Sequence, residues 1–221
     1  MSLNNRKIAL RTAFVAVVVA ISTSTAIFYV RYRAFEAGLT RYRDITIGAS
    51  RKEVLYRLGY PESVLGPSVV VSDSEAKAKG TWPGSWQPVY YTDPKHEPNE
   101  SMPDGKVIDD FDEWVYGDGP QDFTVGFSAD RVRSLTCMDD SPSRASTNCN
   151  AVAGVSIGDS EERVRQLLGK PTRYKYDGVT KTISYDDIGL EFVLTKGRVY
   201  MITVKDGMGG VSHVLRRFVG I

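Results

Sequence analysis

The chain has 221 residues, 42% of them hydrophobic and 25% charged, which is enough for one membrane segment and two small globular units. Its formal net charge of +1 hides an uneven distribution: residues 1–43 hold seven Lys/Arg against one Glu, leaving 21 basic and 26 acidic residues from Asp44 onward. A mildly acidic body excludes nucleic acid as the partner, because phosphate binding needs a concentrated basic face.

Residues 12–30 form a run of nineteen without a charge, rich in Ala, Val and Ile. As a helix the run would span ~28 Å, close to the hydrocarbon thickness of a bilayer. Arg6, Lys7 and Arg11 precede it, as in a signal sequence, but bulky Ile27, Phe28 and Tyr29 make cleavage after Ala26 unfavourable. No cysteine lies near its end, which excludes a lipoprotein signal. The reading is an uncleaved signal anchor over 12–30, with 1–11 in the cytoplasm. Arg31, Arg33, Arg41 and Arg43 follow, so the positive-inside rule gives no clear vote on orientation.

Two stretches then repeat. Ile47, Gly48, Ser50, Val54, Leu58, Gly59 and Pro61 match Ile157, Gly158, Ser160, Val164, Leu168, Gly169 and Pro171 without a gap. Ser50 and Ser160 are N-cap residues, whose hydroxyls bond amides of the first helical turn, and Glu53 is spaced to complete a capping box. Gly59 and Gly169 suit the residue that ends such a helix, and a proline two positions on prevents its resumption. Each copy therefore codes for a short capped helix with one apolar face.

Strands follow the second helix: 182–185, 190–195 and 199–204, with Leu190, Phe192 and Leu194 alternating with Glu191, Val193 and Thr195. The first copy ends the same way, because Phe123, Val125 and Phe127 answer Leu190, Phe192 and Leu194. The helices are offset by 110 residues and these strands by 67, so an insertion of about forty-three residues interrupts the first copy. That insertion, 65–110, holds Trp82, Trp86, Tyr90 and Tyr91 among six prolines. Large rigid aromatics in such a loop suit a partner-binding surface, the alternative being a mini-core folded over the sheet.

Cys137 and Cys149 are the only cysteines, separated by a polar loop, and such a pair staples proteins in oxidising compartments. Two unrelated free thiols are the alternative. The spacing fits no zinc site, and His96 and His213 are the only histidines. Cys137 shares strand parity with Leu135 and should face the helices. The pair favours a body outside the cytoplasm. After 207–210, which reads as a glycine hinge, 211–221 is a short amphipathic tail.

Catalytic constellations are scarce. No nucleophile elbow or phosphate loop occurs. The acidic cluster Asp109, Asp110, Asp112, Glu113, Asp118 and Asp122 lacks the register of a calcium loop. No catalytic residue, metal or cofactor is assigned.

The signature Ile-x-Ile-Gly-x-Ser-x-x-x-Val-x-x-x-Leu-Gly-x-Pro, followed by a strand meander, resembles the SmpA/OmlA (BamE-like) family of bacterial envelope proteins. A doubled arrangement is also similar to the β-lactamase inhibitory proteins, which present a concave sheet to an enzyme. The resemblance covers residues 45–61 with 111–137, and 155–206. It implies two helix-and-antiparallel-sheet repeats, so that with the transmembrane helix read from the apolar run the chain is an α+β fold with a first repeat over 31–142 and a second over 143–206. It also implies a role in protein assembly.

The expected protein is thus a single-pass bacterial inner-membrane protein with its C-terminal body in the periplasm. It would be a non-enzymatic binding module, a scaffold or accessory subunit whose partner is an envelope or inner-membrane protein. The alternatives are an inhibitor or regulator of a periplasmic enzyme, and a metal-dependent hydrolase using the cluster at 109–122.

Overall fold

The computed structural model describes residues 21–25, 28–29, 41–72, 74, 84–93, 101–117, 123–139 and 149–207. From Arg41 onward these belong to one compact unit, 39–221, while the segment 1–38 is a separate one. The strands in chain order are β1 Arg41–Tyr42, β2 Ile45–Thr46, β3 Ser63–Leu65, β4 Val69–Val71, β5 Gly84–Trp86, β6 Val89–Tyr91, β7 Glu113–Tyr116, β8 Phe123–Ser128, β9 Arg131–Met138, β10 Arg173–Tyr176, β11 Thr180–Tyr185, β12 Leu190–Thr195 and β13 Arg198–Lys205. Helix α1 is Arg51–Leu58 and α2 is Glu161–Leu168.

Nine of these strands form one antiparallel sheet in the order β10-β11-β12-β13-β9-β8-β7-β3-β6. This corrects the expectation of an α+β chain built from two separate helix-and-sheet repeats. Each capped helix has only eight residues, about 12 Å of helix, so the strands carry the core. The sheet is continuous because β9 and β13 pair from Ser134↔Lys205 to Met138↔Met201.

The membrane expectation is corrected as well. Among the described residues no helix is long and apolar enough to cross a membrane. Helix is seen at 21–25 and 28–29, where hydroxyl residues 22–25 dilute the apolar run and Thr25 Oγ1 donates to the Ile21 carbonyl at 2.8 Å. The signal anchor, the single-pass membrane attachment and the inner-membrane placement with a periplasmic body therefore have no spanning helix to rest on. Residues 1–20, 26–27 and 30 lie outside the described residues, as does 208–221 of the expected tail.

Helix α1 starts where Ser50 Oγ accepts from Glu53 N at 3.2 Å, and α2 where Ser160 Oγ accepts from Arg163 N at 3.2 Å. Both end at a glycine with positive φ, Gly59 at 82° and Gly169 at 73°. Gly48 N donates to Val132 O at 2.8 Å and Gly158 N to Val199 O at 2.7 Å, tying each helix entrance to the same strand position. Tyr116 and Tyr185 donate their hydroxyls to the Gly59 and Gly169 carbonyls, fixing the helix exits. Each long hairpin also carries a register shift at the same place, Gly126/Phe127 and Val193/Leu194.

The pairing of β9 with β13 is symmetric about Thr136 and Thr203, whose hydroxyls lie 3.1 Å apart. A pseudo-twofold axis through that pair exchanges β10-β11-β12-β13 with β3-β7-β8-β9. One face of the sheet is the core: Val64, Trp114, Val125, Leu135, Val204, Leu190 and Tyr185 stand opposite one another in one row, and all are buried. The other face carries hydroxyls, among them Ser63, Thr124, Thr136, Thr203 and Ser184. Cys137 lies on the core face between Phe123 and Ile202, and its sulfur is bonded to that of Cys149.

Candidate functional site

The pseudo-symmetry breaks at β3. Its counterpart β10 runs almost directly into β11, whereas β3 is separated from β7 by the insertion, which returns as β6 to pair along the outer edge of β3. Gly66 permits that return: a Cβ there would meet Pro88 Cγ at 2.7 Å and Tyr90 Cε2 at 2.8 Å. With the approach open, Gly66 N donates to Pro88 O at 2.8 Å and Gln87 Nε2 to Gly66 O at 3.3 Å.

On the facing side the chain enters β7 through a short 3-10 turn, Ile108–Asp110. Asp110 Oδ2 accepts from Val107 N at 3.0 Å and Trp114 Nε1 donates to Ile108 O at 2.9 Å, so the turn is pinned from both ends. Phe111 is buried, 5.6 Å from the Tyr90 ring centroid. Between these walls lies a cleft of about 340 Å³ lined by Leu65, Gly66, Pro67, Gln87, Asp110, Phe111, Asp112 and Glu113.

Its acidic wall is held by a buried arginine at the first turn of α1. Arg51 Nη1 donates to Phe111 O at 2.7 Å, Nε to Ala129 O at 3.3 Å, and Nη2 to Asp112 Oδ1 at 3.1 Å. The guanidinium lies 4.3 Å from the Phe127 ring centroid and 5.3 Å from that of Trp114. Asp112 keeps its side chain 77% exposed despite this pairing. The cleft is therefore lined by three acidic residues, Asp110, Asp112 and Glu113, together with the apolar Leu65 and Pro67. That combination fits a Lys or Arg side chain, charge to carboxylate and methylene stem to the apolar wall.

Of the aromatic quartet of the insertion, Tyr90 and Tyr91 are not brought to one face. Tyr90 and Tyr91 are neighbours on a strand and so point to opposite faces. Tyr90 stands opposite Val64 on the core face, and Tyr91 opposite Ser63 on the hydroxyl face. Both are half-buried. Trp86 is on β5, paired with Val69, but its side chain lies outside the described residues, as does the whole of Trp82.

Within the acidic cluster, Asp118 and Asp122 also lie outside the described residues. Among the described residues no three His, Cys, Asp or Glu side chains converge as metal ligands. Sequence reasoning did not reach Leu65, Pro67, Gln87, Phe111 or Arg51 as site residues. The signal for the first four was the insertion itself, since its expected limits, 65 and 110, are the two lips of the cleft.

No family model matches the chain, and no match is found among curated proteins. Among solved structures, a DUF4309 family protein (YjgB) from Bacillus subtilis subsp. subtilis str. 168 is similar. The two share 14% identity over 79% of this chain and 91% of that one, with a TM-score of 0.42. A likeness at that level contributes nothing to the functional reading.

Proposed function

We propose that this protein is a non-enzymatic protein-binding module, a scaffold or accessory subunit, and that its cleft holds a basic segment of the partner. The observation that carries the reading is the exposed Asp112 carboxylate, held in place by Arg51 at the mouth of a cleft with apolar walls. A pre-positioned acceptor loses little side-chain freedom on binding, which favours recognition of a guanidinium or ammonium group. The insertion builds the cleft and one repeat alone contains it, so the function follows the part of the chain that is not duplicated. A binding role is also what the resemblance of the helix motif to the SmpA/OmlA family implies.

The test is co-purification with the full chain and with the double variant Asp112→Asn, Glu113→Lys. Asparagine keeps an acceptor for Arg51, so the fold should be retained. The expected result is a stoichiometric partner held by the native chain and lost by the variant, at an unchanged melting temperature. Equal retention by both proteins would move the interface away from the cleft.

A further inference from the structure

The pseudo-twofold that relates β3 to β10 also relates their outer edges. On β3 that edge is occupied: Gly66 N donates to Pro88 O and Thr92 N to Glu62 O, so the Glu62 carbonyl and the backbone at 64 and 66 turn outward to β6, while Glu62 N donates inward to Val115 O. The offset of 110 residues carries these positions to 172, 174 and 176. Asp177 N donates to Thr180 O, which turns the odd-numbered positions of β10 inward to β11 and leaves Tyr174 and Tyr176 with outward amides and carbonyls. All four residues of β10 are exposed, and among the described residues no strand pairs beyond it.

We propose that the outer edge of β10 takes an extended strand of a partner protein, antiparallel, in which acidic residues alternate with apolar ones. The surface is at the other end of the sheet from the cleft and does not depend on it. Tyr174 is held in place, with its ring 5.4 Å from the Arg165 guanidinium and 4.9 Å from Lys181 Nζ. With Tyr176, 71% exposed, it gives the core-face side of the edge an aromatic shelf for apolar side chains. On the other side stand Arg173, paired with Asp186, and Lys175, which has no ionic partner among the described residues. Directly opposed residues share a face, so carboxylates opposite Arg173 and Lys175 and apolar residues opposite the tyrosines complete both sides.

The same parity argues against a second copy as the occupant. An antiparallel self-pairing centred on Tyr174 sets Arg173 against Lys175, and one centred on Arg173 or Lys175 sets that cation against its own copy. Centring on Tyr176 runs out of the strand into the turn at 177–179.

The experiment follows backbone amide exchange of the full chain with a short capped peptide of alternating Glu and Val. The amides of Tyr174 and Tyr176 should gain protection while that of Lys175, directed at β11, stays unchanged. Lys175→Glu should weaken binding about tenfold or more, and Tyr176→Pro should do the same by removing one outward donor. If the proline variant is poorly folded, Lys175→Glu decides. No protection with the Glu–Val peptide would overturn the proposal and leave the edge charges as a guard against aggregation. So would an equal response to a Lys–Val peptide, or protection that rises with protein concentration alone. None of these outcomes bears on the cleft, which is tested by its own variant.

Discussion

Arg51 ties helix α1 to the entrance of β7 and to the β8–β9 turn. It is 8% exposed, donates to two backbone carbonyls and one carboxylate, and is covered by two aromatic rings. Hydrogen bonds from a buried charge contribute about 1.5–3 kcal/mol each, and removing them leaves the Phe111 and Ala129 carbonyls without this donor. Arg51→Met should therefore lower the unfolding free energy by about 2–4 kcal/mol in a denaturant titration. The corresponding first-turn residue of α2, Glu161, bridges Lys181 and Arg165 near the surface, and Glu161→Gln should cost less than about 1 kcal/mol. At the β10–β11 turn, Asp177 accepts from Thr180 N, Thr180 Oγ1 and Val179 N, and these bonds lower its pKa from 3.8 to about 2. A depressed carboxylate stabilises fully above its unfolded value, and the contribution is lost as pH falls through the folded one. The turn should hold at pH above 3.8 and loosen towards pH 2, seen as faster exchange of the Val179 and Thr180 amides; Asp177→Asn should remove that pH dependence. Burial raises the phenols of Tyr42 and Tyr116 above their ordinary range. Their contribution is therefore complete below the unfolded tyrosine value of about 10 and declines as pH rises beyond it.

At the scale of elements, each cap and the disulfide make separable contributions. Ser50→Ala and Ser160→Ala should each cost about 1 kcal/mol, measured by thermal melts, since each hydroxyl bonds one first-turn amide. The Cys137–Cys149 bond closes a loop with a sequence separation of 12, which the chain-entropy argument values at ~3 kcal/mol. Cys137→Ser should lower the melting temperature while leaving the sheet intact by circular dichroism. These local features were legible in the sequence for a physical reason: a serine cap, a terminal glycine and a following proline act within a few residues of one another. The Ser50 half of the capping box is present, and the Glu53 carboxylate accepts from Arg57. The strand periods at 190–195 and 199–204 were legible too, as alternation is a local property. The pairing of β6 on β3 was hidden, since three-residue strands among prolines have too short a period to read. The burial of Arg51 was hidden as well, because an arginine at the start of an amphipathic helix reads as surface.

At the scale of the whole molecule, the joining of β9 to β13 was beyond local reading. It depends on two strands of similar pattern meeting across a separation of 67 residues at Thr136 and Thr203, and two separate sheets satisfy the same alternation. The hydrophobic run at 12–30 has the length of a spanning helix, yet among the described residues no helix is long and apolar enough to cross a membrane. The duplicated scaffold supplies a rigid sheet, and the insertion at one end converts that end into an acidic cleft. The cleft rests on fixed elements: the 3-10 turn is pinned by Trp114, the acidic wall by Arg51, and the opposite lip by the approach of Gly66 to Pro88. The most direct measurement is amide hydrogen exchange on the full chain, alone and bound to the protein that co-purifies with it. The account predicts slowed exchange at Leu65, Gly66 and 110–113, lost in the Asp112→Asn, Glu113→Lys variant. Slowed exchange confined to α1, α2 or the hydroxyl face of the sheet, with Leu65, Gly66 and 110–113 unchanged, would contradict it.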